Sequence, residues 1–272
     1  MGVSYKNTPI QEHKNFIRET GITDSQGRKD LYTFIKHLKD NNMWDNICCL
    51  PMRSGQNNSD TTNLKSFGGL ATLSPSIVGD VTFGENGAVI ATDAANYMKL
   101  ANSITLPLHP CLMYITQTEY EVWDGVESAG TYTNRCYFWN DDTGGAASSL
   151  WINSNWYRQA RFYGGIPTNG ASGGFYTTQS GYHSDETWRS LGLQRLSNYT
   201  QLKPKYFING TDATGPFGGS SSYSLVDPPN SVTNPRVIQS GTYAMIIIAN
   251  NIDLTTLLSV YKDTLGRGLG LP

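Results

Sequence analysis

Two carboxylates at alternating positions, Glu119 and Glu121, are the side chains of this sequence best suited to catalysis. In a β-strand, residues i and i+2 share one face and lie about 6–7 Å apart. Carboxyl groups at roughly that separation can act as acid and base, or as acid and nucleophile, on a glycosidic bond. The alternative is a solvated strand end in which Tyr120 and Val122 point inward. The sequence favours the solvated strand end, so we expect a protein that is not an enzyme.

A second group of side chains suits the binding of sugars. Aromatic rings stack on the C–H faces of sugars, while Asn, Asp and Arg side chains meet the hydroxyl groups. Residues 140–183 contain both kinds in a stretch rich in Gly, Ser and Asn. Two alternatives are that the rings form core or cross-strand pairs, or that they lie in a subunit interface. The glycan-binding candidates are Trp151, Asn153, Trp156, Arg158 and Tyr163.

The histidines and acidic turns of the sequence do not predict a metal centre. The four histidines are scattered, and none has the spacing of metal ligands on a helix. Asp141 and Asp142, followed by Thr143 and Gly144, offer the carboxylates and carbonyls that Ca²⁺ prefers. Such a sequence is more often only a turn, so calcium stays an alternative and no cofactor is expected.

The four cysteines are expected to be reduced and unpaired. Cys48 and Cys49 are adjacent and would point to opposite faces of a strand, where they cannot bridge. Cys111 and Cys136 lie in apolar and aromatic stretches, which favours buried free thiols over a disulfide or a metal site.

Charge and hydropathy exclude two classes of partner. The chain has 20 basic and 22 acidic residues, a net charge of -2, and so lacks the basic surplus that neutralises nucleic-acid phosphates. Its longest apolar run covers residues 244–249, far below the ~20 residues that a membrane helix needs. The N-terminus has no apolar signal-peptide core, so we expect synthesis in a cytoplasm without secretion.

The N-terminal elements differ in character from the rest of the chain. Residues 1–22 are polar with no sustained periodicity and are expected to form an arm, whereas residues 23–46 are expected to form a helix and a linker. Thr23 can cap this helix. Four side chains at positions i, i+3, i+4 and i+7 give it one apolar stripe. The stripe consists of Leu31, Phe34, Ile35 and Leu38.

Residues 47–272 have the pattern of an all-β domain that ends in a short helix. Runs rich in Tyr, Ile, Val, Thr, Phe and Trp alternate with Gly, Ser, Asn, Asp and Pro, as in an antiparallel two-sheet sandwich or jelly roll. Residues 242–249 are apolar on both faces, which predicts a central strand covered on both sides. Asp253 is a suitable cap for the last helix, and Gly266 ends it.

Four segments of this domain, in order, resemble the concanavalin-A-like or laminin-G-like jelly-roll superfamily. The resemblance implies a lectin-like antiparallel sandwich. It does not strengthen catalysis, because Glu119, Glu121 and Asp124 differ in order and spacing from the acidic strand of jelly-roll glucanases. The four segments are residues 87–100, 188–195, 205–210 with its Asn-Gly hairpin turn, and 241–265.

The segment ahead of the sandwich resembles the leader helix of tailed-bacteriophage and prophage structural proteins that carry such a jelly roll. The similar residues are the run 18–25, the helix 31–38 and the triplet 43–45, and residues 261–267 are similar to the C-terminal end of those proteins. This resemblance implies a non-enzymatic virion protein, in a capsid decoration or a tail appendage, made in the host cytoplasm. Its expected partners are other virion proteins, further copies of the chain and a host-surface glycan.

Other functions remain open alternatives at this point. The chain could be a carbohydrate-binding module without a virion role, or a glycoside hydrolase. The apolar stripe of residues 31–38 must also be covered, either by the chain's own sandwich or by another chain. The arm ahead of it favours a partner, so the four stripe residues are the assembly candidates.

Overall fold

The computed structural model describes twelve separate stretches of the chain, some of them as backbone only. Between residues 135 and 180, and between 231 and 239, the description covers backbone and strand pairing. The described residues are 9–58, 64–90, 96–117, 135–138, 150–156, 159–165, 179–180, 187–198, 204–214, 231–232, 236–239 and 241–272.

Three α-helices lie in this part of the chain: α1 (Pro9–Thr20), α2 (Ser25–Asp40) and α3 (Leu254–Asp263). A 3₁₀ turn at Trp44–Asn46 leads from α2 into the first strand. Asp24, and not Thr23, caps α2, because its carboxylate accepts a hydrogen bond from the Gly27 N–H. The carboxylate of Asp253 caps α3 in the expected way, at 3.0 Å from the Thr255 nitrogen. None of these helices is long and apolar enough to cross a membrane.

The described strands follow the expected rhythm of short extended segments and turns. In chain order they are β1 (Ile47–Pro51), β2 (Pro75–Val78), β3 (Val81–Phe83), β4 (Ala88–Ile90), β5 (Tyr97–Leu100), β6 (Ile104–Thr105), β7 (Pro110–Gln117), β8 (Arg135–Phe138), β9 (Leu150–Trp156), β10 (Gln159–Gly165), β11 (Gln179–Ser180), β12 (Trp188–Gln194), β13 (Lys205–Ile208), β14 (Thr211–Asp212), β15 (Ser231–Val232), β16 (Arg236–Gln239) and β17 (Gly241–Asn250).

These strands form two large sheets and a small ribbon. Sheet A has the order β14-β13-β12-β7-β17-β4-β3, with β1 also paired to β17, and sheet B has the order β11-β10-β9-β8-β16-β5-β2. The ribbon pairs β15 with β6. Every strand pair in the described residues is antiparallel, and β9 lies over β7 and β12. The topology therefore confirms the predicted antiparallel two-sheet sandwich.

Sheet A has a hydrophobic core on each of its faces. The core between the two sheets includes Tyr114 and Ile246, whereas the core between sheet A and the three helices includes Ile247. Because successive strand residues point to opposite faces, Cys48 lies in the first core and Cys49 in the second, as the sequence predicts. The described residues therefore form three layers, with sheet A in the middle.

Strand β17 is the central strand covered on both faces that the sequence predicts. Its residues 241–249 are all buried, with β7 along one edge and with β4 and β1 sharing the other. The register shifts between Tyr243 and Met245, and the Ala244 carbonyl there accepts a hydrogen bond from the Met52 N–H at 2.9 Å. This irregularity lies where pairing with β4 ends and pairing with β1 begins.

The apolar stripe of α2 packs within its own chain, which corrects the expectation that a partner covers it. Leu31, Phe34, Ile35 and Leu38 are fully buried in the core between sheet A and the helices. Each such side chain contributes about 1.5–3 kcal/mol of transfer free energy when buried. Sheet A offers a second apolar face, so the fold itself supplies the surface that the stripe needs.

The segment expected to be an arm contains helix α1, which packs on α2. Phe16 of α1 is buried and meets Phe67 edge to face, with ring centroids 5.2 Å apart. The Glu12 carboxylate pairs with the Lys39 ammonium at 2.5 Å, and the His13 Nε2 donates a hydrogen bond to the Arg28 carbonyl at 2.8 Å. Phe16 and the partly buried Ile17 give α1 a short apolar face on the core beneath the helices, and polar contacts hold the rest of the helix.

Candidate functional site

The glycan-binding candidates lie on two adjacent strands of sheet B. Trp151, Asn153 and Trp156 are in β9, and Tyr163 is in β10. Asn153 and Tyr163 are Cα partners across the β9–β10 pair. Arg158 lies outside the described residues. The backbone thus brings two of the sequence-predicted residues directly opposite each other.

The face of sheet B that points away from sheet A is called here the outer face of sheet B. The helices pack on the opposite side of sheet A, so they do not cover this face. In β5, Met98 and Leu100 point into the core, whereas the alternate residues Tyr97 and Lys99 are half-buried. The outer face of sheet B is therefore accessible at β5.

The acidic candidates lie elsewhere in the chain. Glu119, Glu121, Asp141 and Asp142 are all outside the described residues, so their carboxylates stay as sequence-based candidates. Within the described ranges, no group of three or more His, Cys, Asp or Glu residues is placed to hold a metal ion.

Three of the cysteines are buried free thiols with little chemical reactivity. Burial raises the pKa of Cys48 to about 12 and that of Cys111 to about 11, and it also raises the pKa of Cys49. The thiolate is the reactive form, so these groups are protonated and inert near neutral pH. Cys48, Cys49 and Cys111 contribute to the packing of the two cores.

The structure also brings together polar residues that the sequence did not single out. Asp30 of α2, Arg53 and Gln56 after β1, and Arg267 after α3 line one open groove beside the α1–α2 turn. No local motif joins these positions, because they come from three distant parts of the chain. Only a turn-rich run after β1, Ser54 to Asn58, could have drawn attention to this place.

Comparison with known proteins gives similarity of fold and no family. No protein-family model matches the chain, and no curated protein matches it. Domain 4 of the arabinanase AbnA from Geobacillus stearothermophilus, solved in complex with arabinotriose, is 10% identical over 68% of this chain and 86% of that one, with a TM-score of 0.41.

Two further solved structures have similar scores. The CBM40 of the Ruminococcus gnavus IT-sialidase is 8% identical over 60% of this chain and 94% of that one, with a TM-score of 0.37. The carbohydrate recognition domain of Emp47p is 10% identical over 75% of this chain and 95% of that one, with a TM-score of 0.43.

Proposed function

We propose that the chain is a non-enzymatic glycan-binding protein whose ligand surface is the outer face of sheet B at β9 and β10. One observation carries the proposal: Trp151, Asn153 and Tyr163, chosen from sequence as sugar-binding types, fall on adjacent strands of the sheet that the helices leave uncovered. Aromatic side chains there would stack on sugar C–H faces, and amide groups would meet the hydroxyls.

Binding without bond cleavage is the simplest chemistry that accounts for these residue types. The Emp47p domain named above is a carbohydrate recognition domain, which agrees with this proposal without carrying it. A glycoside hydrolase would need two carboxylates at a sugar, and Glu119 and Glu121 depart from the glucanase pattern.

A glycan array with the purified full chain tests the proposal. We expect the chain to bind at least one class of glycan. The substitutions Trp151→Ala and Tyr163→Ala should each weaken that binding about tenfold or more. Tyr32→Ala is the matched control, because it removes a ring from α2 on the far side of sheet A. An array without binding overturns the proposal, as does glycan hydrolysis that Glu119→Gln or Glu121→Gln abolishes.

We further propose that this lectin-like chain is a virion component. The observation in favour is that two of the segments resembling phage proteins meet in one helical layer, where Phe34 of α2 contacts Tyr261 of α3. Immunogold labelling of purified particles tests this role and its location. Labelled particles support it, whereas particles that lack the chain overturn it.

A further inference from the structure

A row of directly opposed residues crosses five strands of sheet B. Tyr97 of β5 is the Cα partner of Gln239 of β16, and Gln239 is the Cα partner of Arg135 of β8. Arg135 is also opposite Asn153 of β9, which is opposite Tyr163 of β10. Because neighbouring strands lie about 4.8 Å apart, the row extends about 19 Å across the sheet.

This row lies on the outer face of sheet B. Met98 is buried in the core between the two sheets, so the preceding residue, Tyr97, lies on the opposite face. Directly opposed residues of antiparallel strands share one face of their sheet, so the assignment of Tyr97 holds for the whole row. The register therefore places Asn153, Tyr163 and Arg135 together on the outer face, independently of their residue types.

A second row on the same face contains two basic residues. Lys99 is two residues from Tyr97 in β5 and therefore shares its face. Lys99 is the Cα partner of Arg236 in β16 on one side and of Ser76 in β2 on the other. With Arg135, these residues give the outer face three basic positions on the neighbouring strands β5, β16 and β8.

The described strands of sheet B carry no acidic residue that balances these charges. Their sequences contain four basic residues and neither aspartate nor glutamate. The whole chain has 22 acidic and 20 basic residues, so the strands of sheet B differ in charge from the rest of the protein. The four basic residues are Lys99, Arg135, Arg161 and Arg236.

The opposition of Lys99 and Arg236 favours an anion on this face. Directly opposed residues of an antiparallel pair have Cβ atoms about 4.5–5.5 Å apart, and like charges at such positions destabilise the sheet. Ser76, on the other side of Lys99, brings no negative charge. An anionic group bound beside the two cations removes this repulsion and gains charge-assisted hydrogen bonds.

We propose that the glycan bound at the outer face of sheet B is acidic, with a carboxylate or a sulfate on its sugar units; this inference rests on the glycan-binding function proposed above. Lys99, Arg135 and Arg236 are the counter-ions, and a guanidinium group matches the paired oxygens of an oxyanion. Asn153 and Tyr163, in the same row as Arg135, meet the sugar itself. The net charge of -2 disfavours nucleic acid, whose dense phosphates need a basic surplus.

An array of matched glycans, probed with the purified full chain, tests this proposal. The probes are oligosaccharides based on galactose, glucose and N-acetyllactosamine, each in neutral form and in forms that carry uronic acid, sialic acid or sulfate. We expect at least one acidic form to bind about tenfold or more tightly than its neutral counterpart. Preference for the uronic or sialic acid forms assigns the carboxylate, and preference for the sulfated forms assigns the sulfate.

Variants separate this face from general surface charge. Lys99→Gln and Arg236→Gln should each reduce the preference for the acidic form about tenfold, and either variant suffices if the other does not fold. Lys36→Gln, the same change at an exposed position of α2 beyond sheet A, should leave the preference unchanged. Tyr163→Ala should weaken the acidic and the neutral form alike, because it removes a ring and no charge.

The remaining outcomes overturn the proposal in distinguishable ways. Equal affinity for acidic and neutral forms overturns the acidic ligand and leaves glycan binding in place. Failure to bind any glycan overturns both proposals. An unchanged preference in Lys99→Gln and Arg236→Gln places the recognition of charge elsewhere on the chain, and equally tight binding of a single-stranded oligonucleotide shows that the face selects charge and not a glycan.

Discussion

Phe34 in α2 and Tyr261 in α3 meet edge to face, with ring centroids 6.3 Å apart and ring planes at 86°. Both side chains are fully buried between sheet A and the helices, although they come from opposite ends of the chain. The contact therefore closes the helical layer over the sandwich. It also explains why the stripe on α2 needs no partner protein.

Truncation of the Phe34 ring should destabilise the fold strongly. Phe34→Ala removes a fully buried ring and leaves a cavity, so we expect the free energy of unfolding to fall by about 3–5 kcal/mol. Urea unfolding followed by tryptophan fluorescence measures this loss. Lys36→Ala, at an exposed position of the same helix, is the control and should change the free energy by less than about 0.5 kcal/mol.

Removal of the Tyr261 hydroxyl, in contrast, should not destabilise the fold. The Tyr261 hydroxyl is buried without a hydrogen-bond partner among the described residues, and such an orphan costs about 1–3 kcal/mol. Tyr261→Phe keeps the ring and removes the hydroxyl, so it should leave stability unchanged or raise it. A clear loss of stability in Tyr261→Phe would mean that the hydroxyl has a partner, such as an internal water.

Alkaline pH should weaken the fold through the buried thiols. Burial raises the pKa of Cys48 from 9.0 to about 12 and that of Cys111 from 9.0 to about 11. Above pH 9 the unfolded chain therefore loses thiol protons that the folded chain retains, and stability falls as pH rises, by at most ~1.4 kcal/mol per pH unit for each thiol. Urea unfolding at pH 8 and pH 10 measures the decrease.

A cysteine-free variant identifies the source of that decrease. The combined change of Cys48, Cys49 and Cys111 to Ala should reduce the fall in stability between pH 8 and pH 10, below the range in which the buried Tyr261 hydroxyl, whose pKa burial also raises, becomes the main contributor. An equal slope in the variant and the parent chain would assign the effect to other groups. Alkylation of the unfolded, unreduced chain should add four labels, because we expect every cysteine to be unpaired.

Arg53 should stabilise the C-terminal turn at residues 264–269 against local unfolding. Its guanidinium binds the carbonyls of Leu265 and Arg267, and hydrogen bonds to charged groups contribute about 1.5–3 kcal/mol each. Arg53→Met keeps much of the apolar stem and should increase amide exchange in residues 264–269 more than elsewhere. Arg18→Met, at an exposed position of α1 in the same groove, should leave that exchange unchanged.

Much of the fold could be predicted from local pattern. The helix stripe, the doubly apolar strand β17 and the opposite directions of Cys48 and Cys49 all follow from periodicity, and the structure confirms each. Helix α1 is harder to predict in this way, because its apolar face is short: Phe16 is buried, Ile17 is partly buried, and polar contacts supply the rest. The surface that covers the apolar stripe of α2 could not be predicted either, because an apolar side chain can pack against its own chain or against another protein.

The two candidate sites also differ in how far local sequence predicts them. Trp151 and Tyr163 could be chosen because aromatic and amide residues cluster in one stretch of sequence, and strand pairing then places β9 beside β10. The groove residues Asp30, Gln56 and Arg267 lie far apart in sequence and become neighbours only when α2, the loop after β1 and the C-terminal turn fold together. Long-range proximity of this kind has no local signal.

Deletion of residues 1–20 should have two separable effects. It removes Phe16 from the core beside Phe67, so we expect the free energy of unfolding to fall by about 3–5 kcal/mol, with the sandwich still folded. If the chain is a virion component, as proposed, the deletion should also abolish its incorporation into particles. Phe16→Ala is the matched control, because it removes the same ring and keeps the rest of the segment. An attachment role predicts that Phe16→Ala incorporates and the deletion does not, whereas equal incorporation of the two variants would show that α1 serves stability alone.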